Sequence, residues 1–220
     1  GETAAPGTIT GKTGAPTARV AGVPFPITVN AVDASWNVIT SINDPVNFTA
    51  TNDGYAQLPV GAVLSNGTLT TNVTYRIGNA NVNRRLTATH ANATLSRSPV
   101  FGVNVGAYAR LLIILPGESF TAGHPDGKIG PAGNQGIGTN FQVTVRATDI
   151  AFNQVVGPTD QLQITSTDPI FSSVPATGAL SATSGQRTFT VNLGTASNSN
   201  TLTAAVFPGP SSILPYTTLG

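Results

Sequence analysis

The chain repeats itself. Setting each residue beside the one 116 positions later, the separation of Gly1 from Gly117, brings Gly1, Glu2, Gly11, Lys12 and Gly14 onto Gly117, Glu118, Gly127, Lys128 and Gly130. Phe25, Val29, Ala31, Asp33 and Asn37 fall on Phe141, Val145, Ala147, Asp149 and Asn153. Asp44, Thr49, Pro59 and Leu64 fall on Asp160, Thr165, Pro175 and Leu180, and Pro99 falls on Pro215. Glycine matches are cheap in a glycine-rich chain, but Glu, Lys, Asp, Asn and Phe in one register are not. The expectation is a single offset held without a gap, hence two copies of one structural unit. The copies are out of phase with the ends: Gly220 aligns with Asn104, and the apolar run 108–115 that opens the second copy has no counterpart ahead of Gly1. Either the chain is a piece of a longer array, or a neighbouring molecule donates that strand.

Patterning sets the secondary structure. Phe25-Pro26-Ile27-Thr28-Val29-Asn30-Ala31 alternates apolar with polar or small residues, as do residues 141–147 and 188–193. A period of two puts one face in a core and the other in water, the signature of an antiparallel sheet. Runs are short and bounded by Gly, Pro, Asn and Asp. The spacing predicts strands at 107–115, 25–33, 45–51, 68–75, 84–90 and 99–105, with equivalents shifted by the repeat. Trp36 and Phe152 stand at matching points and read as aromatic plugs over the core. The segments 1–22 and 117–138 read as long loops. About seven strands in each copy of ~110 residues is the size of an immunoglobulin-like sandwich. The fold expected is therefore all-β, two tandem immunoglobulin-like antiparallel β-sandwiches: 1–106, lacking its first strand, and 107–220.

Composition narrows the partners. Hydrophobic residues make up 40% of the chain and charged residues 9%, with a net charge of +1. That balance has no electrostatic footprint for nucleic acid. Arg84-Arg85, the main basic cluster, reads as strand-edge protection and solubility. No apolar run approaches a membrane span, so no membrane insertion is expected. There is no Cys, which removes disulfides, thiolate metal sites and cysteine nucleophiles.

The element Ala31-Val-Asp-Ala-Ser-Trp-Asn-Val-Ile39, with its second version Ala147-Thr-Asp-Ile-Ala-Phe-Asn-Gln-Val-Val156, resembles bacterial immunoglobulin-like repeats of the invasin and intimin type. Those families stack sandwiches end to end on large surface proteins. The resemblance implies an extracellular, cell-surface stalk or adhesin, whose partners are neighbouring copies of itself or adjacent repeats; a glycan or protein ligand stays unspecified. The glycine- and proline-rich segment with its Gly-Lys pair departs from the common pattern of those repeats.

Four residue pairs could carry chemistry. Asp33 with Asn37, and Asp149 with Asn153, offer oxygens to Ca²⁺, with Glu2 or Glu118 as a further ligand; equally, Asp and Asn cap turns. Glu2 with Lys12, and Glu118 with Lys128, are either loop-pinning ion pairs or partners in an intramolecular isopeptide cross-link. No cofactor is required. His90 reads as surface-facing on a strand and His124 as a loop residue. No Ser, His and Asp set repeats, and no nucleophile elbow is present, so a catalytic role is not expected. Asn47, Asn66, Asn72 and Asn92 begin Asn-x-Thr sequons. The functions left open are a structural repeat of a stalk, sheath, filament or surface layer that self-assembles by strand complementation, an adhesive or ligand-binding module, and an accessory domain of a large secreted enzyme.

Overall fold

A computed structural model of the chain describes residues 1–91, 96–197 and 199–218. It divides into two compact units, Gly1–Asn104 and Val105–Gly220. Unit 1 contains β1 (Thr3–Ala4), β2 (Lys12–Thr13), β3 (Arg19–Val20), β4 (Phe25–Asn30), β5 (Pro45–Ala50), β6 (Ala62–Val63), β7 (Thr68–Val73), β8 (Asn79–Arg84), β9 (Leu86–Thr89), β10 (Ser96–Arg97) and β11 (Phe101–Asn104). Unit 2 contains β12 (Arg110–Ile114), β13 (Ser119–Phe120), β14 (Lys128–Ile129), β15 (Phe141–Thr148), β16 (Gln161–Ser166), β17 (Phe171–Val174), β18 (Thr177–Ala179), β19 (Gln186–Leu193), β20 (Leu202–Val206) and β21 (Tyr216–Thr217). Among the described residues there is no helix, so none is long and apolar enough to cross a membrane.

Unit 2 is an antiparallel sandwich of two four-stranded sheets, β12-β15-β19-β17 and β18-β16-β20-β21. β12 beside β15 and β15 beside β19, with β16, β20 and β21 in the facing sheet, is the order of an immunoglobulin-like fold. The alternation read from the sequence explains the packing. Phe141, Val143, Val145 and Ala147 of β15 all face inward, against Leu111 and Ile113 of β12, Leu162 and Ile164 of β16, Phe189 and Val191 of β19, and Leu202 and Ala204 of β20.

Unit 1 keeps the scheme with fewer paired strands. β4 pairs with β7, and β10-β9-β5-β6 form the facing sheet. A further sheet, β3-β11-β8, closes one end, where Phe101 of β11 packs edge-on to Phe25 and Tyr75 at 6.0 and 5.1 Å between ring centroids. The partner of β15 that β12 supplies in unit 2 has no equivalent beside β4 among the described residues.

The single offset expected from the sequence does not hold. In unit 1 the hairpin from Ser65 turns at Asn66-Gly67, both at positive φ (51° and 76°), and Ser65 pairs with Thr68. This is the two-residue turn that Asn-Gly favours. Its counterpart is longer: Ser181 donates to Gln186 O. Phe25 therefore faces Val73 while Phe141 faces Val191, an offset of 118 between those partners. By the next strand pair the offset is 116 again, since Thr49 faces Thr87 and Thr165 faces Thr203. It changes once more near the end: Ser98 N–H donates to Leu86 O, and Thr218 N–H to Leu202 O. Ser98 thus corresponds to Thr218, and Pro99 does not correspond to Pro215. Turn lengths vary freely in solvent, whereas register within each sheet is fixed by which face is buried.

Candidate functional site

The charged pairs that recur in both copies converge on one device in each unit. In unit 2 the segment read as a loop folds into the hairpin β13–β14, Ser119 opposite Ile129 and Phe120 opposite Lys128. Lys128 Nζ lies 2.7 Å from Glu118 Oε1 and donates to Glu118 Oε2 at 2.8 Å and to the Ile113 carbonyl of β12 at 3.2 Å. Glu118 Oε2 also accepts the Leu115 N–H at 2.8 Å. The ammonium stands 5.1 Å from the Tyr216 ring centroid. In unit 1, β1–β2 forms the same hairpin, with Lys12 3.0 Å from Glu2. These are ion-pair distances.

The second element is the turn after β4 and β15. Asp149 is fully buried. Its Oδ1 accepts the N–H groups of Ala151 and Asn153, both at 2.8 Å, its Oδ2 accepts Gly106 N–H at 2.8 Å, and Asn153 Nδ2 donates to both oxygens. Phe152 within the turn sits at φ 63°, and Trp36 at φ 66°. Left-handed backbone is costly for an aromatic residue, and the carboxylate's grip on the flanking N–H groups holds it there. Asp33 makes the same bonds to Ser35 N–H, Asn37 N–H and the Asn37 side chain. The Asn37 amide and backbone hydrogen bonds hold the Asp33 carboxyl below the usual carboxylate range, against a smaller opposing effect of burial. In both turns the asparagine presents its amide N–H groups, not its oxygen, to the aspartate. Among the described residues no group of three or more His, Asp or Glu side chains is placed to hold a metal ion.

Trp36 and Phe152 are not plugs of the sandwich core. Phe152 lies on the outer face, beneath the hairpin: a Cβ placed on Gly127 would meet its ring at 2.7 Å and Leu112 at 2.8 Å. The Arg110 guanidinium stands 4.7 Å over that ring. Trp36 packs on Gly11 in the same way.

Three polar residues with structural roles escaped the sequence reading. Arg84 is fully buried, not an edge-protecting surface charge. It donates to Asn52 O at 2.8 Å and to Ile77 O at 2.6 Å, and burial pulls its guanidinium below its ordinary pKa. Buried Asp53 beside it accepts the N–H groups of Tyr55, Arg76 and Ile77. In unit 2, Asp168 accepts Ile170 and Thr195 N–H and the Asn200 side chain. Burial raises its pKa, but the Thr195 and Ile170 N–H bonds outweigh that and leave it lowered. The only sequence signal was an Asp in a turn, which does not reveal its burial. His90 is not simply surface-facing: its side chain is 17% exposed and Nε2 lies 3.1 Å from Asp44. His124 Nδ1 accepts Asp126 N–H at 3.1 Å. Asn47, Asn66 and Asn72 are exposed, while Asn92 lies outside the described residues.

No family model and no curated protein sequence matches the chain. Among solved structures it is similar to the D0-D1 domain of intimin, at 15% identity and a TM-score of 0.32 over 91% of this chain and 90% of that one. It is also similar to a β-glycosidase from Bacteroides vulgatus, at 10% identity and 0.37 over 90% of this chain and 22% of that one. A third similarity is to Bacteroides uniformis β-glucuronidase 3, at 14% and 0.34 over 93% of this chain. The chain spans about a quarter of the length of each of these two enzymes, 22% and 24%. The sandwich assignment itself rests on the strand order of unit 2, and the chain is an all-β, immunoglobulin-like protein.

Proposed function

We propose that the chain is a non-catalytic structural module of a bacterial extracellular surface protein, repeated in tandem to build a stalk, sheath, filament or surface layer. The observation that carries this reading is the use made of the charged residues. In both units the Glu–Lys pair fastens a hairpin and the Asp–Asn pair fastens a turn. These groups act on backbone, where an enzyme would aim them into a cleft. β11 ends at Asn104 and β12 begins at Arg110, so few residues separate the strands of one unit from those of the next in the sequence, as in a tandem array. A low-charge surface rich in Thr and Asn suits close packing between modules, and the absence of Cys fits a bacterial exterior.

The test is surface labelling of the intact source bacterium with antibody raised against the chain, followed by protease shaving and electron microscopy of the released material. Labelled, shaveable arrays are expected. Antigen found only after lysis would reject the surface role, and hydrolytic activity intrinsic to the purified chain would reject the structural one.

A further inference from the structure

β12 is seated on β15 by a set of contacts, and unit 1 carries the receiving half of each. In unit 2 the register is antiparallel, Leu111 opposite Ala147 and Ile113 opposite Val145. Leu111 and Ile113 enter the core, and Leu112 lies on the outer face against Gly127 and Phe152. Backbone and charge fix the strand along its length: Ala109 N–H to Thr148 O at 2.9 Å, Lys128 Nζ to Ile113 O, Gly106 N–H to Asp149, and Arg110 over Phe152.

In unit 1 the receiving residues are built and exposed. Trp36 is 39% exposed where Phe152 is 6%. The Lys12 side chain is 36% exposed where that of Lys128 is 12%. Asp33 is exposed where Asp149 is buried, and Val29 and Ala31 are half-buried where Val145 and Ala147 are fully buried. The pairing Val32–Val38 matches Thr148–Gln154, which coexists with β12 in unit 2, so it does not obstruct the edge. Among the described residues β4 has β7 as its one strand partner. An unpaired apolar edge is a template for another strand unless it is blunted by charge, proline or a bulge. Pro26 is the one such residue in β4, and it lies outside the 28–32 stretch where the β12 register falls.

We propose that the outer edge of β4 is a strand-acceptor site, and that its occupant is an extended segment of the Arg110–Ile114 type. It pairs antiparallel to residues 28–32. Its arginine stacks on Trp36, and its inward apolar residues cover Ala31 and Val29. One of its carbonyls accepts from Lys12, and an N–H upstream reaches Asp33. Main-chain pairing supplies affinity and the alternate side-chain positions supply specificity. The inference deepens the array reading and rests on it for its biological setting alone.

The experiment titrates a synthetic peptide of residues 105–116, carrying a lysine tail for solubility, into the full chain. Trp36 is the single tryptophan, so its emission reports the site directly; hydrogen exchange maps the contact. Saturable one-to-one binding is expected, with a blue shift of Trp36 and slowed exchange centred on residues 28–32. A peptide with Leu111→Asp and Ile113→Asp should bind about tenfold more weakly or worse, because each change removes the burial of a large apolar side chain. Lys12→Met in the full chain, checked for folding by circular dichroism, should weaken the parent peptide as well. No saturable binding, equal binding of the Asp peptide, or protection confined to unit 2 would overturn the proposal. So would self-association of the chain through β4 that the peptide does not compete. Failure of surface labelling with intact peptide binding would remove the array reading and leave the acceptor site; the reverse result would do the opposite.

Discussion

Replacing Asp149 with alanine should unfold unit 2 well before unit 1. The carboxylate accepts the N–H groups of Ala151 and Asn153, both buried, and of half-buried Gly106. A buried donor left without a partner costs about 1–3 kcal/mol. Two such donors, with a smaller contribution from Gly106 and some relief from entering water, give roughly 3–5 kcal/mol. For a domain of this size that lowers Tm by about 10–20 °C. Asp149→Asn keeps one acceptor oxygen and should fall between the variant and the parent. Asp33→Ala removes the matching bonds at a solvent-exposed turn, where water replaces them, so its effect should be much smaller. The two units can be followed separately, because Trp36 lies in unit 1 and unit 2 has no tryptophan. Far-ultraviolet circular dichroism should show an early transition for Asp149→Ala while the Trp36 fluorescence transition stays in place. An Asp149→Ala shift no larger than that of Asp33→Ala would refute the reasoning.

The ion pairs should divide the same way. Lys128→Met leaves Glu118, 9% exposed, without its cation and should cost roughly 2–4 kcal/mol, since breaking a mostly buried pair strands a charge. Lys12→Met breaks a pair with more solvent around it and should cost about 0–1 kcal/mol by thermal melting. The intact mass should equal the sequence mass if the Glu118–Lys128 contact, at 2.7 Å, is an ion pair; loss of ammonia or water would show a cross-link instead. Gly127→Ala should destabilise unit 2 by about 2–4 kcal/mol, combining a left-handed φ of 73° with a Cβ 2.7 Å from Phe152; an unchanged melt would refute that contact. Arg84→Met should destabilise unit 1, read by Trp36 fluorescence, through loss of bonds to the Asn52 and Ile77 carbonyls. Asp33 and Asp168 both have folded pKa values below their ordinary 3.8. Their stabilising contribution is therefore complete above that value and lost as pH falls through the lower folded values. Acid melts should show constant stability from neutral pH down to about 4 and a decline below it that Asp33→Asn lessens for the Trp36 signal.

The amino-acid sequence by itself determined most of the long sandwich strands, their inward faces and the existence of two copies, but not the hairpins β1–β2 and β13–β14 or the strand β8. The first three are properties of local order: a period of two places Phe141, Val143 and Val145 on one side of β15 whatever surrounds the strand. Glu lies beside Lys and Asp beside Asn within one turn or hairpin, so those partners are near neighbours in the chain as well as in space. The sequence misjudged what depends on distant chain. Arg84 was read as a surface charge because nothing in its neighbours along the chain shows that Asn52, Asp53 and Ile77 enclose it. Trp36 and Phe152 were assigned to the core because an apolar ring is buried by whatever covers it, and here that cover is a hairpin on the outer face. The sequence matches imply a constant offset, whereas solvent-exposed turns absorb insertions that the paired strands do not show. Tertiary structure also decided the difference between the copies. Asp33 and Asp149 have nearly the same local sequence, yet one is exposed and the other buried, because β12 lies along β15 and among the described residues no strand lies along the outer edge of β4.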